Sequence, residues 1–236
     1  MKPLKSIQLL SSILWTISSL GMGALLPDLS HPAIARAQFA SLGRPKHRKP
    51  GAKKGGCLGS PLPGELTAIV PETGDDLTVS DSPTLLFLIP EAPHDSLKAV
   101  FRLQVNNRNV AAPLELAIAG TPGIIKVKVP KSLEKNQPYQ WLFQITCGSE
   151  KSLDLRGTVI VRAASPRLIK QLGNTHSLRE KAAVYAREGL WLDAVATLAD
   201  AQTRDLAVRQ DWQTLLQTLG LPELQQQPIV PCCTIP

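Results

Sequence analysis

LEKNQPYQWLFQITCGSEKSLDLRGTVIV, residues 133–161, is the stretch on which the fold turns. Tyr139, Trp141, Phe143, Ile145 and Cys147 recur at every second position, which is the period of a strand with one face in a core. Cys-Gly-Ser at 147–149 interrupts the run, and Leu153, Leu155, Val159 and Val161 then share the face of a second strand. Upstream the same period returns. Phe101, Leu103 and Val105 alternate with Arg102 and Gln104, Leu114, Leu116 and Ile118 follow, and Ile125, Val127 and Val129 alternate with Lys126 and Lys128. With Leu66–Val70 and Thr84–Ile89 the count is about seven short strands. Turn-forming runs at 71–74, 106–109 and 121–123 separate them. Short strands at this spacing predict two packed antiparallel sheets.

Leu133 precedes Tyr139 by six residues, just ahead of the most aromatic strand. The spacing resembles the tyrosine corner of fibronectin-III and immunoglobulin-like sandwiches, where a buried Tyr hydroxyl bonds backbone a few residues upstream. Trp141 and Cys147 share one strand, so the Cys…Trp…Cys order of antibody domains is missing. The likeness is to the sandwich architecture, not to antibody domains.

After Ala163 the apolar period lengthens to that of helices. A short helix is predicted over Ser165–Leu172, with Pro166 in its tolerant first turn. Ser177 and Glu180 form a capping box for a helix ending at Gly189. Helices from about Trp191 to Ala201 and from about Asp205 to Leu219 follow, and Gly220 and Pro222 stop the last. Tyr185, Gly189, Trp191, Ala194, Leu198 and Ala201 stand at offsets similar to those of a tetratricopeptide hairpin. A single unit falls short of the three or so that a stacked groove needs. Two readings stay open: a hairpin packed on the β layer, or a partner-binding hairpin presenting Tyr185, Gly189, Trp191, Ala194 and Leu198.

The chain has 236 residues and a formal charge of +7, unevenly spread. Residues 1–37 carry +2 and residues 38–54 carry +6, which leaves −1 on residues 55–236. The body is nearly neutral, which excludes a globally basic nucleic-acid-binding fold. Lys2 and Lys5, the apolar run Ile7–Leu26 and small residues at Ala33, Ala35 and Ala37 read as a secretory signal. The rival is an uncleaved anchor, because the apolar run approaches bilayer length. RPKHRKPGAKKGG at 44–56 then reads as a flexible basic linker. Its Arg44, Lys46, Arg48, Lys49, Lys53 and Lys54 are candidate tethers to an anionic surface, each worth about 1 kcal/mol near one.

Four cysteines, Cys57, Cys147, Cys232 and Cys233, outlast signal removal, and an even number in an oxidising compartment predicts two disulfides. A vicinal Cys232–Cys233 ring departs from favoured bridge geometry. One bond from each of the adjacent cysteines to Cys57 and to Cys147 is therefore expected, in either order. Loops of such length stabilise by roughly 4 to 5 kcal/mol in the chain-entropy model. No cysteine pair has zinc-type C-x-x-C spacing, and His47, His94 and His176 are scattered. No nucleophile elbow, zincin motif or phosphate-cradling loop occurs. Asp75 and Asp76 read as turn residues, and His94 with Asp95 lacks a nucleophile.

LTAIVPETGDDLTVSDSPTLLFLIP, TPGIIKVKVP, YQWLFQITC, YAREGLWLDAVATLA and DWQTLLQTLGLPELQQQPIVPCC follow one another in order. Together they resemble a cyanobacterial family catalogued as domain of unknown function 928, over roughly residues 44–234. The closing PIVPCC after a W-x-x-L-L-x-x-x-G-L helix is the most specific piece. Cys57 and Cys147 fall where that family places its other cysteines, which supports two disulfides. At 84–89 this chain is poorer in aromatics than the family's usual pattern. The resemblance implies fold and export, and brings no activity or cofactor.

The expected class is α+β: an immunoglobulin/fibronectin-III-like antiparallel sandwich, then a helical segment with one tetratricopeptide-like hairpin. The expected layout is a signal at 1–37, linker at 38–56, sandwich at 57–163, helical cap at 164–228 and disulfide-stapled tail at 229–236. The expected role is that of an exported, non-catalytic interaction module at the periplasm or cell surface, with no cofactor and no metal. Its partner would be an envelope protein, not nucleic acid, and it would meet membrane only through an uncleaved signal. The alternatives are a wall- or surface-polymer binder tethered by the basic linker and, last, an enzyme acting on envelope polymers.

Overall fold

The computed structural model describes residues 65–72, 76–90, 97–118, 122–147, 151–201 and 205–231. The signal, the linker with its six basic residues, Cys57, Cys232, Cys233 and the His94–Asp95 pair lie outside the described residues, as does the side chain of Cys147. Nine strands come first: β1 Thr67–Ala68, β2 Asp76–Thr78, β3 Thr84–Ile89, β4 Leu97–Val105, β5 Arg108–Asn109, β6 Leu114–Ile118, β7 Gly123–Lys128, β8 Pro138–Cys147 and β9 Lys151–Val161. Helices α1 Pro166–Gly173, α2 Leu178–Arg187, α3 Trp191–Ala201 and α4 Leu206–Thr218 follow, then a 3-10 turn at Pro222–Leu224. The chain is mixed α+β, with two sheets and, among the described residues, four α-helices.

One sheet has the order β1-β3-β7, and the other has β2-β9-β8-β4-β5 with β6 also pairing β4. Pairings are antiparallel except β2 on β9, which is parallel. The strand period sorts the side chains into layers. Along β3, Leu85, Phe87 and Ile89 face the larger sheet, while Leu86 and Leu88 join the helices. The smaller sheet is thus covered on both sides, and its central strand reads TLLFLI with almost no polar alternation. Between the sheets Phe87 stacks on Phe143 at 4.2 Å and meets Trp141 edge-on at 5.7 Å.

Local chemistry places the joints. Trp141 lies across β9 so closely that a Cβ on Gly157 would come within 2.3 Å of the indole. Tyr139 is buried, and its hydroxyl accepts the Glu134 N–H at 3.1 Å, fixing the approach to β8. Asp76, read from the sequence as a turn residue, instead opens β2, is buried, and accepts from Trp141 Nε1 at 3.3 Å. Ser165, Ser177 and Asp205 cap α1, α2 and α4. The expected capping box is shifted by one residue, because Glu180 accepts from the His176 N–H rather than from Ser177. Gly189 at φ +73° turns α2 into α3, with the Leu190 N–H returning to the Tyr185 carbonyl at 2.9 Å. After the 3-10 turn the chain comes back to β7: the Ile124 N–H donates to the Pro228 carbonyl at 2.7 Å, and the Val230 N–H to the Ile124 carbonyl at 2.9 Å.

Candidate functional site

The helical hairpin spends its apolar wedge internally. Trp191, Ala194 and Leu198 are buried against Ile69, Leu86, Leu88 and Ile124 of the smaller sheet and against Trp212 and Leu215 of α4. Gly189 makes the turn, and Tyr185 reaches the seam between α2, α3 and the strands. Of the five candidate hairpin residues, Trp191, Ala194 and Leu198 thus lie in the interior, Gly189 is half-buried at the turn and Tyr185 lines an opening.

That opening is a cleft of about 190 Å³. Its β wall carries the hydroxyls of Thr78, Ser80, Ser82 and Thr84, and its helical wall carries Tyr185, Asp193, Thr197 and Asp200 over Leu192 and Ala196. Helical spacing explains the second wall. Asp193, Thr197 and Asp200 stand at i, i+4 and i+7 and share one face of α3. Leu192, Val195 and Leu198 turn that helix inward.

Asp193 ties the two walls together. The Thr78 hydroxyl donates to Oδ1 at 3.0 Å and the Val79 N–H donates to Oδ2 at 3.1 Å. The N–H groups of Ser80 and of Asp193 itself also stabilise the carboxylate, which sits in the first turn of α3 where the helix dipole favours negative charge. Burial outweighs these donors and pushes the carboxyl up to about 6 from its ordinary 3.8. Tyr185 is pushed up as well, by burial first and by the charge of Asp193 second. Asp200, at the rim, is bridged by Lys126 of β7 at 2.8 Å. The β wall is braced from behind: Ser80 N–H donates to Thr78 Oγ1 at 3.0 Å, and the Ser82 hydroxyl donates to the Val129 carbonyl at 2.8 Å.

Sequence reasoning passed over Asp193, Asp200 and the hydroxyls. The available signal was an acid at the third position of a helix, flanked by apolar residues, together with a chain segment, TVSDSPT at 78–84, dense in hydroxyls. Neither has a motif's spacing, and nothing in the sequence says that the two meet. Among the described residues no three His, Cys, Asp or Glu side chains converge as metal ligands would, and no helix is long and apolar enough to cross a membrane.

No curated protein matches this chain. The family model described as Domain of Unknown Function (DUF928) matches residues 49–229, a span that holds both sheets, the helices and the whole cleft, and on that match the chain belongs to the DUF928 family.

Proposed function

We propose that this protein is an exported, non-catalytic protein-interaction module of the cell envelope, working at the periplasmic face or cell surface through the seam of its helical and β layers. The observation that carries the reading is the cleft: a concave, oxygen-rich opening braced on one side by strand backbone and on the other by α3. Concave sites of this kind orient a bound group through a few placed polar atoms over an apolar floor.

The finer architecture belongs to the same proposal. An immunoglobulin/fibronectin-III-like sandwich is supported by the parallel β2–β9 edge, by the strand order of the two sheets and by the Tyr139–Glu134 bond. A tetratricopeptide-like hairpin is supported by the Gly189 turn and the buried Trp191, Ala194 and Leu198. Export is supported by the signal-like residues 1–37 and by the four cysteines after them. Two structural disulfides fit the course of the chain: β8 ends on Cys147, and the segment leading to Cys232 and Cys233 is hydrogen-bonded to β7.

The test is recovery of the tagged full-length protein from its own cells in moderate salt, with mass spectrometry of what co-purifies. One or a few stoichiometric envelope proteins are expected. Six basic residues with no acid at 38–54 favour a second reading, attachment to an anionic wall or surface polymer. Recovery of polysaccharide alone, lost as salt rises, would replace the first reading by the second.

A further inference from the structure

The cleft's lining brings oxygen from every side and no cation of its own: two carboxylates, six hydroxyls, and no Lys, Arg or His. We propose that it seats a primary ammonium group, the side chain of a lysine on a bound protein partner, with the Asp193 carboxylate as counter-ion. The inference rests on the interaction-module reading and names what the module grips.

Three observations argue for a cation. Asp200 is already neutralised, because Lys126 holds it at 2.8 Å. Asp193 is held by hydrogen-bond donors alone; among the described residues no ammonium or guanidinium lies within ion-pair distance of it. A carboxylate offers about four acceptor sites. Asp193 is half-buried, and a carboxylate partly withdrawn from water and served by dipoles, not by a counter-charge, is a place where a cation gains. The third observation is size. At about 190 Å³ the opening has room for an alkylammonium and falls short of the usual drug-sized pocket.

The geometry also suits the shape of a lysine. Its three N–H donors need three acceptors, which Asp193, Thr197 and Ser80 or Thr84 supply from the two walls. Its methylene stem needs apolar contact, which Leu192 and Ala196 supply. The charged and titratable groups around Asp193 are Tyr185 from α2, Asp200 two turns along α3, and Lys126 from β7, which is engaged by Asp200. Lys181 of α2 stands over the Tyr185 ring at 5.8 Å from its centroid.

The upward shifts of both Asp193 and Tyr185 agree with a cleft short of positive charge. They also give the proposal a pH signature. With Asp193 protonating near 6, lysine binding should weaken about tenfold for each unit of acidification below that value.

The experiment is an NMR titration of the full-length protein with Nα-acetyl-lysine methylamide, its Nε-acetyl analogue, a lysine-bearing tetrapeptide and cadaverine. It is run at about pH 8 and about pH 5 on the wild type and on Asp193→Asn. Expected are shifts of the Val79 and Ser80 amides on adding the lysine amide at the higher pH, with affinity at least about tenfold weaker at the lower pH, in Asp193→Asn and with the acetylated analogue. Equal binding of the acetylated analogue, unchanged binding by Asp193→Asn, or no response of the cleft amides would overturn the seat. Tighter binding of cadaverine than of the tetrapeptide would overturn the assignment to a protein lysine. Should Asp193→Asn not fold, the pH dependence of the wild type decides alone. Recovery of the same envelope partners by a folded Asp193→Asn chain would sink this inference and leave the module reading standing. Lysine binding without any co-purifying protein would sink the module reading and, with it, the assignment to a protein partner.

Discussion

Gly157 shows how one residue admits another. Trp141 and Gly157 are directly paired across β8 and β9, and the indole occupies the place a Cβ would take, at 2.3 Å from it. Gly157→Ala must therefore displace a ring that is 1% exposed and that also donates to Asp76. A loss of about 1 to 3 kcal/mol is expected from overpacking, read as a lower urea midpoint at unchanged slope. Arg179→Ala tests a different kind of contact. Arg179 of α2 pairs with Asp211 of α4, whose carboxylate is fully buried. Stripping that carboxylate of its cation should cost about 3 kcal/mol, with Arg179→Lys recovering part of it, in the same urea assay. Neither role was legible in the sequence. Each depends on a partner from another element, Trp141 of β8 for Gly157 and Arg179 of α2 for Asp211, which no local period reveals.

At the scale of elements, the joint between α3 and the β2–β3 segment has its own pH dependence. Asp193 holds its proton up to about pH 6 in the folded chain, against 3.8 ordinarily. Between those values the folded state binds the extra proton, so stability is greatest below the lower value and falls as pH rises to the higher one. The difference is on the order of 3 kcal/mol. Asp193→Asn should flatten that stretch of the stability–pH curve, measured by urea unfolding across it. Asp193→Ala should instead lower stability by about 1 to 3 kcal/mol, since the Val79 N–H and Thr78 hydroxyl lose their acceptor. Binding of a cation runs the opposite way and needs the ionised carboxylate. The elements themselves were largely readable. Tyr139–Cys147 alternates and is β8, TLLFLI is continuously apolar and lies between two layers, and Ser177 opens α2. The strand β2 was not: its three residues pair in parallel with β9 from the far end of the domain, and no local period announces so short a strand.

For the molecule as a whole, the sequence carried the order of β and then α, the change of period after Ala163 and the turn at Gly189. Two packed sheets and a hairpin on the β layer were among its readings, but it did not carry which sheet the helices cover: they lie on one face of the smaller sheet while the larger sheet covers the other. It also gave no sign of the cleft, because Asp193 and Thr78 lie 115 positions apart and meet only when those layers stack. The return of the chain to β7 is likewise a property of the whole, and Gly123 is its gate. A Cβ there would come within 2.5 Å of Val230 and 3.1 Å of the Pro228 carbonyl. Gly123→Val should dislodge residues 228–230, and size-exclusion chromatography of that variant should reveal concentration-dependent self-association absent from the wild type. The reason lies in what the returning chain conceals. A strand margin with open N–H and C=O groups is a template on which a second molecule can add its own strand, and then a third. By occupying the Ile124 N–H and carbonyl, residues 228–230 take those two groups of the margin out of reach of a second chain. A protein crowded among its own copies would then be kept apart from them, in part, by three residues that straddle the end of its family match at 229.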